Sequence, residues 1–173
     1  MEKKWEDHII ENLRYEPESG YLWWTKGGRK RCLTKPAGSD SGKGYIVIGI
    51  KLGCKKRRLL AHRLAWFLYH KKWPENQVDH INGIRFDNKI TNLREASSFQ
   101  NQCNTKSRGG TSVYKGVFFR KDRNNWRAHI QIDKKIKHLG TFKTEEDAAK
   151  TYDKAAKELF GEFAKLNFPE NVE

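Results

Sequence analysis

VDHINGIRFDNKITNLREASSFQNQCN, residues 78–104, sets an acid beside an imidazole, follows them with an Asn-Gly pair, and then strings Asn88, Asn92, Asn101 and Asn104 along a polar run. Asn82-Gly83 is a turn signal because both residues accept positive φ, so the spacing predicts two short antiparallel strands, 78–81 and 84–86. A helix is expected next, capped by Thr91 or Asn92, with Leu93, Ala96 and Phe99 or Gln100 on its apolar stripe. Such a hairpin and helix are often closed by a bound ion, and Asp79 with Asn101 offer hard oxygen ligands of the kind magnesium accepts. His80 titrates near neutrality, as a general base for water should. Adjacent residues of a regular strand point to opposite faces, so Asp79 and His80 converge on one point only where the strand ends or is distorted. Taken singly, Asn76, Asn82, Asn88 and Asn104 are turn and cap residues.

Upstream, LLAHRLAWFLYH repeats Leu60, Leu64, Phe67 and Leu68 at helical spacing and is expected to stop at Pro74. His62 on that helix reads equally as a structural histidine or as a neighbour of the phosphate, and Arg63 as a partner for DNA or for Asp87. Neither is placed in the catalytic group. SGYLWW and GYIVIGIKL read as short strands bounded by glycine and separated by the basic loop TKGGRKR. The run GSDSGKGY is no phosphate loop, since one residue is missing between its glycines and neither Ser nor Thr follows Lys43.

Downstream, CNTKSRGGT at 103–111 lacks apolar periodicity and reads as a linker, dividing the chain into a domain over 1–105, a linker over 106–111 and a domain over 112–173. In NWRAHIQID, Trp126, Ala128, Ile130 and Ile132 share one face, the core, and Arg127, His129 and Gln131 share the other, which is polar. SVYKGVFFRK and KHLGTF supply flanking strands. TEEDAAKTYDKAAKELFGEF opens on a Thr144 cap with Asp147 after it, and its small-residue stripe lets a helix lie close on a sheet. The expected class is α+β.

The chain of 173 residues carries 35 Lys and Arg against 21 Asp and Glu, a formal net charge of +14 with a pI near 9.7. That balance suits nucleic acid. No long apolar run, basic amphipathic helix or signal peptide points to a membrane, so a cytoplasmic protein acting on DNA is expected. Cys32, Cys54 and Cys103 form no CxxC pair and read as reduced thiols. The charge is uneven: residues 112–143 hold 9 basic and 2 acidic side chains, residues 144–173 hold 4 and 8. The strands and the helix of the second half therefore cannot have the same job, and the acidic side of the helix is expected to face solvent.

DHINGIRFDNKITNLR with the following Asn101, supported by AHRLAW, resembles the HNH homing endonucleases, whose ββα-metal fold nicks or cuts DNA. The resemblance implies that Asp79 and Asn101 hold a divalent metal, magnesium or manganese, that His80 activates the attacking water, and that Asn92 orients His80 through the backbone. Asn101 stands where many such nucleases carry histidine, which makes this the His-Asn-Asn variant. SVYKGVFFRK, NWRAHI, HLGTFKTEEDAAKTYDKAAKELFG and AKLNFP are similar to the APETALA or ethylene-response-factor DNA-binding domain. That likeness implies a three-stranded antiparallel sheet packed on one helix, with Lys115, Arg120 and Trp126 on DNA and Lys115 needing a bulge at Gly116 to join the face of Arg120. Arg127, on the exposed face, is a further candidate contact. Phe118 departs from the family's arginine, His129 and Gln131 from its Glu and Arg, and His138 from its tryptophan, so the fold transfers better than the base preference. Together these imply a monomeric, metal-dependent endonuclease on double-stranded DNA with a recognition domain; the alternative is a sequence-specific regulator that binds without cleaving.

Overall fold

The computed structural model describes residues 3–28, 31–105 and 109–169. Part of the expected basic loop (Arg29 and Lys30), part of the expected linker (Lys106 to Arg108) and the last residues of the expected second domain, 170–173, lie outside the described residues. Two compact units divide between Ser98 and Phe99. No described helix is long and apolar enough to cross a membrane.

The first unit opens on α1 (Lys3–Asn12), where Trp5 and Ile9, one helical turn apart, both enter the core. A hairpin follows, β1 (Leu13–Glu16) with β2 (Tyr21–Trp24), and then the three-stranded sheet β3 (Ser39–Asp40), β4 (Ile46–Leu52) and β5 (Lys55–Leu60) in the order β3-β4-β5. Ile48 and Ile50 of β4 are wholly buried. β5, mostly KKRR, has no apolar alternation of its own; it is a strand because the turn at Gly53, with φ near +58°, returns the chain onto β4. On α2 (Ala61–His70), Leu64, Phe67 and Leu68 face the same core, and the helix ends at Lys71 in the left-handed region, ahead of Pro74.

The decisive stretch departs from expectation. Val78 does enter a strand, β6 (Gln77–His80), but its partner is β7 (Leu93–Ala96), with Gln77 opposite Ala96 and His80 opposite Leu93. Residues 84–86 form no strand: Ile84 and Phe86 are 41% and 64% exposed, and the Asn82 side chain bonds the Ile84 N–H at 2.8 Å in a local turn. Burial of Leu93 and Ala96 against the core stabilises the longer-range ladder instead. Thr91 and Asn92 accordingly cap no helix. They lie in a 3-10 turn (Ile90–Asn92), and the helix α3 (Ser98–Cys103) starts later and is short.

The second unit is the expected three-stranded antiparallel sheet, order β10-β9-β8, built from β8 (Val117–Arg120), β9 (Asn125–Ile132) and β10 (Lys135–Phe142), and packed on α4 (Glu145–Phe160). Ala128 and Ile130 of β9 meet Ala148, Ala149, Tyr152 and Ala156 of α4, all of them buried. The Thr144 hydroxyl accepts from the Asp147 N–H at 3.2 Å, the cap that the sequence announced. Gly116 has φ near +76°, and a Cβ there would lie 2.1 Å from the Tyr152 ring, so only glycine lets α4 approach the start of β8.

Candidate functional site

His80, the last residue of β6, is 4% exposed. Its ring meets the His62 ring edge-on at 5.0 Å between centroids, and Tyr45 closes a third side at 6.1 Å from His80 and 5.4 Å from His62. The Asn88 amide oxygen lies 3.1 Å from His80 Nε2. With an amide oxygen accepting, Nε2 carries the proton and Nδ1 keeps the lone pair that a base needs. Burial pushes the His80 pKa down, against the opposing pull of Asn88, Asp79 and Asp87, so the ring is neutral near pH 7. His62 is pushed down to about 3, chiefly by burial and then by His80 and Arg63, and its Nδ1 has no hydrogen-bond partner.

Asn88 is held in turn by the first hairpin. The Tyr15 hydroxyl donates to the Asn88 carbonyl at 2.7 Å, and Gly20 sits so close that a Cβ there would lie 2.6 Å from the Asn88 carbonyl carbon. The loop between β6 and β7 hangs on Asn92, which is 8% exposed. Its side-chain oxygen accepts from the Asn82 N–H at 3.0 Å, its amide donates to Asn82 Oδ1 at 3.0 Å and to the Asp87 carbonyl at 2.8 Å. The Asn92 carbonyl accepts from the Ile81 N–H at 2.9 Å, immediately after His80.

Asp79 is 5% exposed and stands opposite Arg94, whose Nε and Nη2 both donate to Asp79 Oδ2 at 3.1 Å. The ladder runs through His80, which ends β6 at a turn where the Gly83 N–H donates to the His80 carbonyl at 2.8 Å. Asp79 thus provides one buried carboxylate that accepts from the Arg94 guanidinium. Among the described residues no three His, Cys, Asp or Glu side chains gather in one place. A single hard carboxylate fits a magnesium-type ion that keeps most of its water. Asn101 lies on α3, half-buried.

The sequence left out Asn88, Arg94 and Tyr45, and set His62 aside. Arg94 becomes visible once β7 is paired with β6, because it falls opposite Asp79. Nothing in the sequence near Tyr45 announces its place.

On the face of the second sheet away from α4, Phe118 pairs across from Arg127, and the Phe118 ring meets His129 at 5.1 Å. Arg127 Nε and His129 Nδ1 are shielded from water without a hydrogen-bond partner. Arg120 is ion-paired with Asp122. Trp126 lies on the other face, its ring 4.9 Å from Phe119 and packed on the core. Lys115 precedes β8 and donates from Nζ to the Cys103 carbonyl at 2.6 Å.

The family model described as HNH endonuclease matches residues 59–103, and the one described as AP2 domain matches residues 112–162. An uncharacterized HNH endonuclease of Acanthamoeba polyphaga mimivirus is 40% identical over 129 residues, 73% of this chain and 64% of that protein. An ethylene-responsive transcription factor of Arabidopsis thaliana is 45% identical over 74 residues, 41% of this chain and 40% of that protein. An AP2-like ethylene-responsive transcription factor of the same plant is 30% identical over 162 residues, 90% of this chain and 27% of its own length. The chain spans less than two thirds of each of these relatives. Residues 59–103 are therefore similar to the HNH endonuclease family, and residues 112–162 to the AP2 domain.

Proposed function

We propose that the chain is a homing-type, metal-dependent endonuclease that hydrolyses phosphodiester bonds of double-stranded DNA, with the domain over 112–173 choosing the site and residues 106–111 linking it to the nuclease domain over 1–105. The observation that carries the reading is the buried His80 held by Asn88 within a loop pinned by Asn92. His80 accepts a proton from water at Nδ1 while the water oxygen forms its bond to phosphorus and the bond to the leaving sugar oxygen breaks. Asn92 fixes the backbone just after His80, and so the direction of the ring. Asp79 and Asn101 are the residues that hold magnesium or manganese. A bound ion of that kind supplies charge stabilisation to the phosphate and the leaving oxygen.

Incubating supercoiled plasmid with the full chain, with and without magnesium, tests the reading. Nicking is expected only with the metal, and His80→Ala should abolish it while DNA binding persists, since a general base acts on the chemical step. Activity of His80→Ala within about tenfold of wild type would remove His80 from its role. Binding without any cleavage by the wild-type chain would turn the reading into that of a non-cleaving regulator.

A further inference from the structure

The likeness to plant DNA-binding domains places Lys115 on phosphate, yet this lysine is committed elsewhere. Its backbone is fixed from both sides by Asn167, whose side-chain oxygen accepts from the Lys115 N–H at 2.6 Å and whose amide donates to the Lys115 carbonyl at 3.2 Å. Asn167 is itself held by Asp153 of α4, at 2.8 Å from its backbone N–H and 3.0 Å from its amide. The next residue, Gly116, adopts a positive φ under the Tyr152 ring. With the backbone so fixed, the Lys115 side chain reaches the carboxyl end of α3, where Nζ donates to the Cys103 carbonyl. Lys115 is partly buried there, and burial pushes its pKa down.

The last carbonyls of a helix need donors. In α3 the Gln100 carbonyl accepts from the Asn104 N–H and the Gln102 carbonyl from the Thr105 N–H, both at 3.2 Å, and Lys115 serves Cys103. At the other end of the same segment the Phe99 ring meets Phe160 of α4 edge-on at 5.7 Å. A helix of six residues has little stability of its own. Lys115 and Phe160 tie it to the sheet-and-helix unit, and it carries Asn101.

We infer that Lys115 is a positioning residue for the nuclease chemistry: it clamps the end of α3, and with it Asn101, to the AP2-type domain instead of gripping phosphate. The inference rests on the proposed nuclease function. It makes residues of the carboxyl-terminal unit part of the support for a proposed metal-holding residue.

Three measurements on the full chain decide it, with Lys115→Met removing the donor but keeping the stem, Phe99→Ala removing the second attachment, and Lys115→Arg keeping a donor. The first is the slope of log binding constant against log salt on one duplex. The second is the magnesium concentration that gives half-maximal plasmid nicking. The third is hydrogen exchange at the Asn104 and Thr105 amides without metal. Lys115→Met and Phe99→Ala are expected to leave the slope unchanged, to raise the magnesium midpoint roughly tenfold, as loss of an outer support does, and to speed exchange about tenfold. Lys115→Arg should stay closer to wild type in both respects. A slope reduced by about 0.9 in Lys115→Met, with midpoint and exchange unmoved, would make Lys115 a phosphate contact and overturn the inference. So would no change in any of the three. If the wild-type chain never nicks DNA, the nuclease reading fails, and the exchange data alone still decide whether Lys115 holds α3.

Discussion

An imidazole buried beside another imidazole stays folded only if it stays neutral, and His62 meets that condition at 5% exposure with its pKa pushed down to about 3. In the unfolded chain the same group takes up a proton near pH 6.5. Between those values the unfolded state binds more protons than the native one, so this contribution to stability is complete above about pH 6.5 and is lost as the pH falls towards 3. At one pKa unit per 1.36 kcal/mol, the loss from pH 6.5 to pH 4 is on the order of 2 to 3 kcal/mol. Carboxylates titrate in the same window, so the difference between wild type and His62→Gln isolates the effect. Urea denaturation at pH 7 and pH 4 should show wild type losing that much more than the variant. Equal losses in the two proteins would mean that His62 is protonated without penalty.

Among the elements, the loop between β6 and β7 is the one whose geometry the candidate base depends on, and Asn92 is its fastening. Asn92→Ala removes one acceptor from the Asn82 N–H and two donated bonds, and leaves the Asp87 carbonyl short of a partner near a buried turn. A cost of about 2 to 3 kcal/mol is expected, read by chemical denaturation, together with faster amide exchange at Asn82; a variant as stable as wild type would show that the loop is held by other means. This same loop marks the limit of what the sequence disclosed. The second half was legible because its signals are local: alternation over 126–132 and a capping Thr144 decide β9 and α4 within their own length. The β6 pairing was not, because Asn82-Gly83 is as good a turn inside a loop as at the tip of a hairpin, and the choice fell to burial of Leu93 and Ala96, a tertiary effect. His80 and Asp79 stood out as residue types at a spacing. Asn88 and Arg94 did not, since each gains its role only from the fold that brings it across to its partner.

For the whole molecule, the question is how much of the +14 charge grips DNA. Residues 112–143 hold 9 basic side chains, and if all contacted phosphate the salt slope would be roughly −8 from this stretch alone. The structure makes that value too large. Lys115 is spent on the Cys103 carbonyl, and Lys134 and Lys135 sit at the turn between β9 and β10, where Asp133 and Lys134 take positive φ. Arg120 and Arg127 remain on the sheet face away from α4. Arg127 Nε is shielded from water without a hydrogen-bond partner, so the guanidinium must turn outward to meet DNA, whereas Arg120 must leave Asp122, a partly exposed pair worth little. In the full chain, Arg127→Ala and Arg120→Ala should each flatten the salt slope by about 0.9, and the double variant by about 1.8. If Arg127 also reaches a base edge, its loss should relax preference at one position by about 1 to 3 kcal/mol, while Arg120→Ala weakens all sequences alike. Low-salt plasmid nicking should survive both changes, because His80, Asp79, Asn92 and Asn101 are untouched. Salt titrations of the four proteins on one duplex and on a scrambled duplex carry the comparison. Unchanged slopes in the double variant would show that this face does not grip DNA, and would move the electrostatic footprint to the first unit, where β5 alone carries Lys55, Lys56, Arg57 and Arg58 in the open.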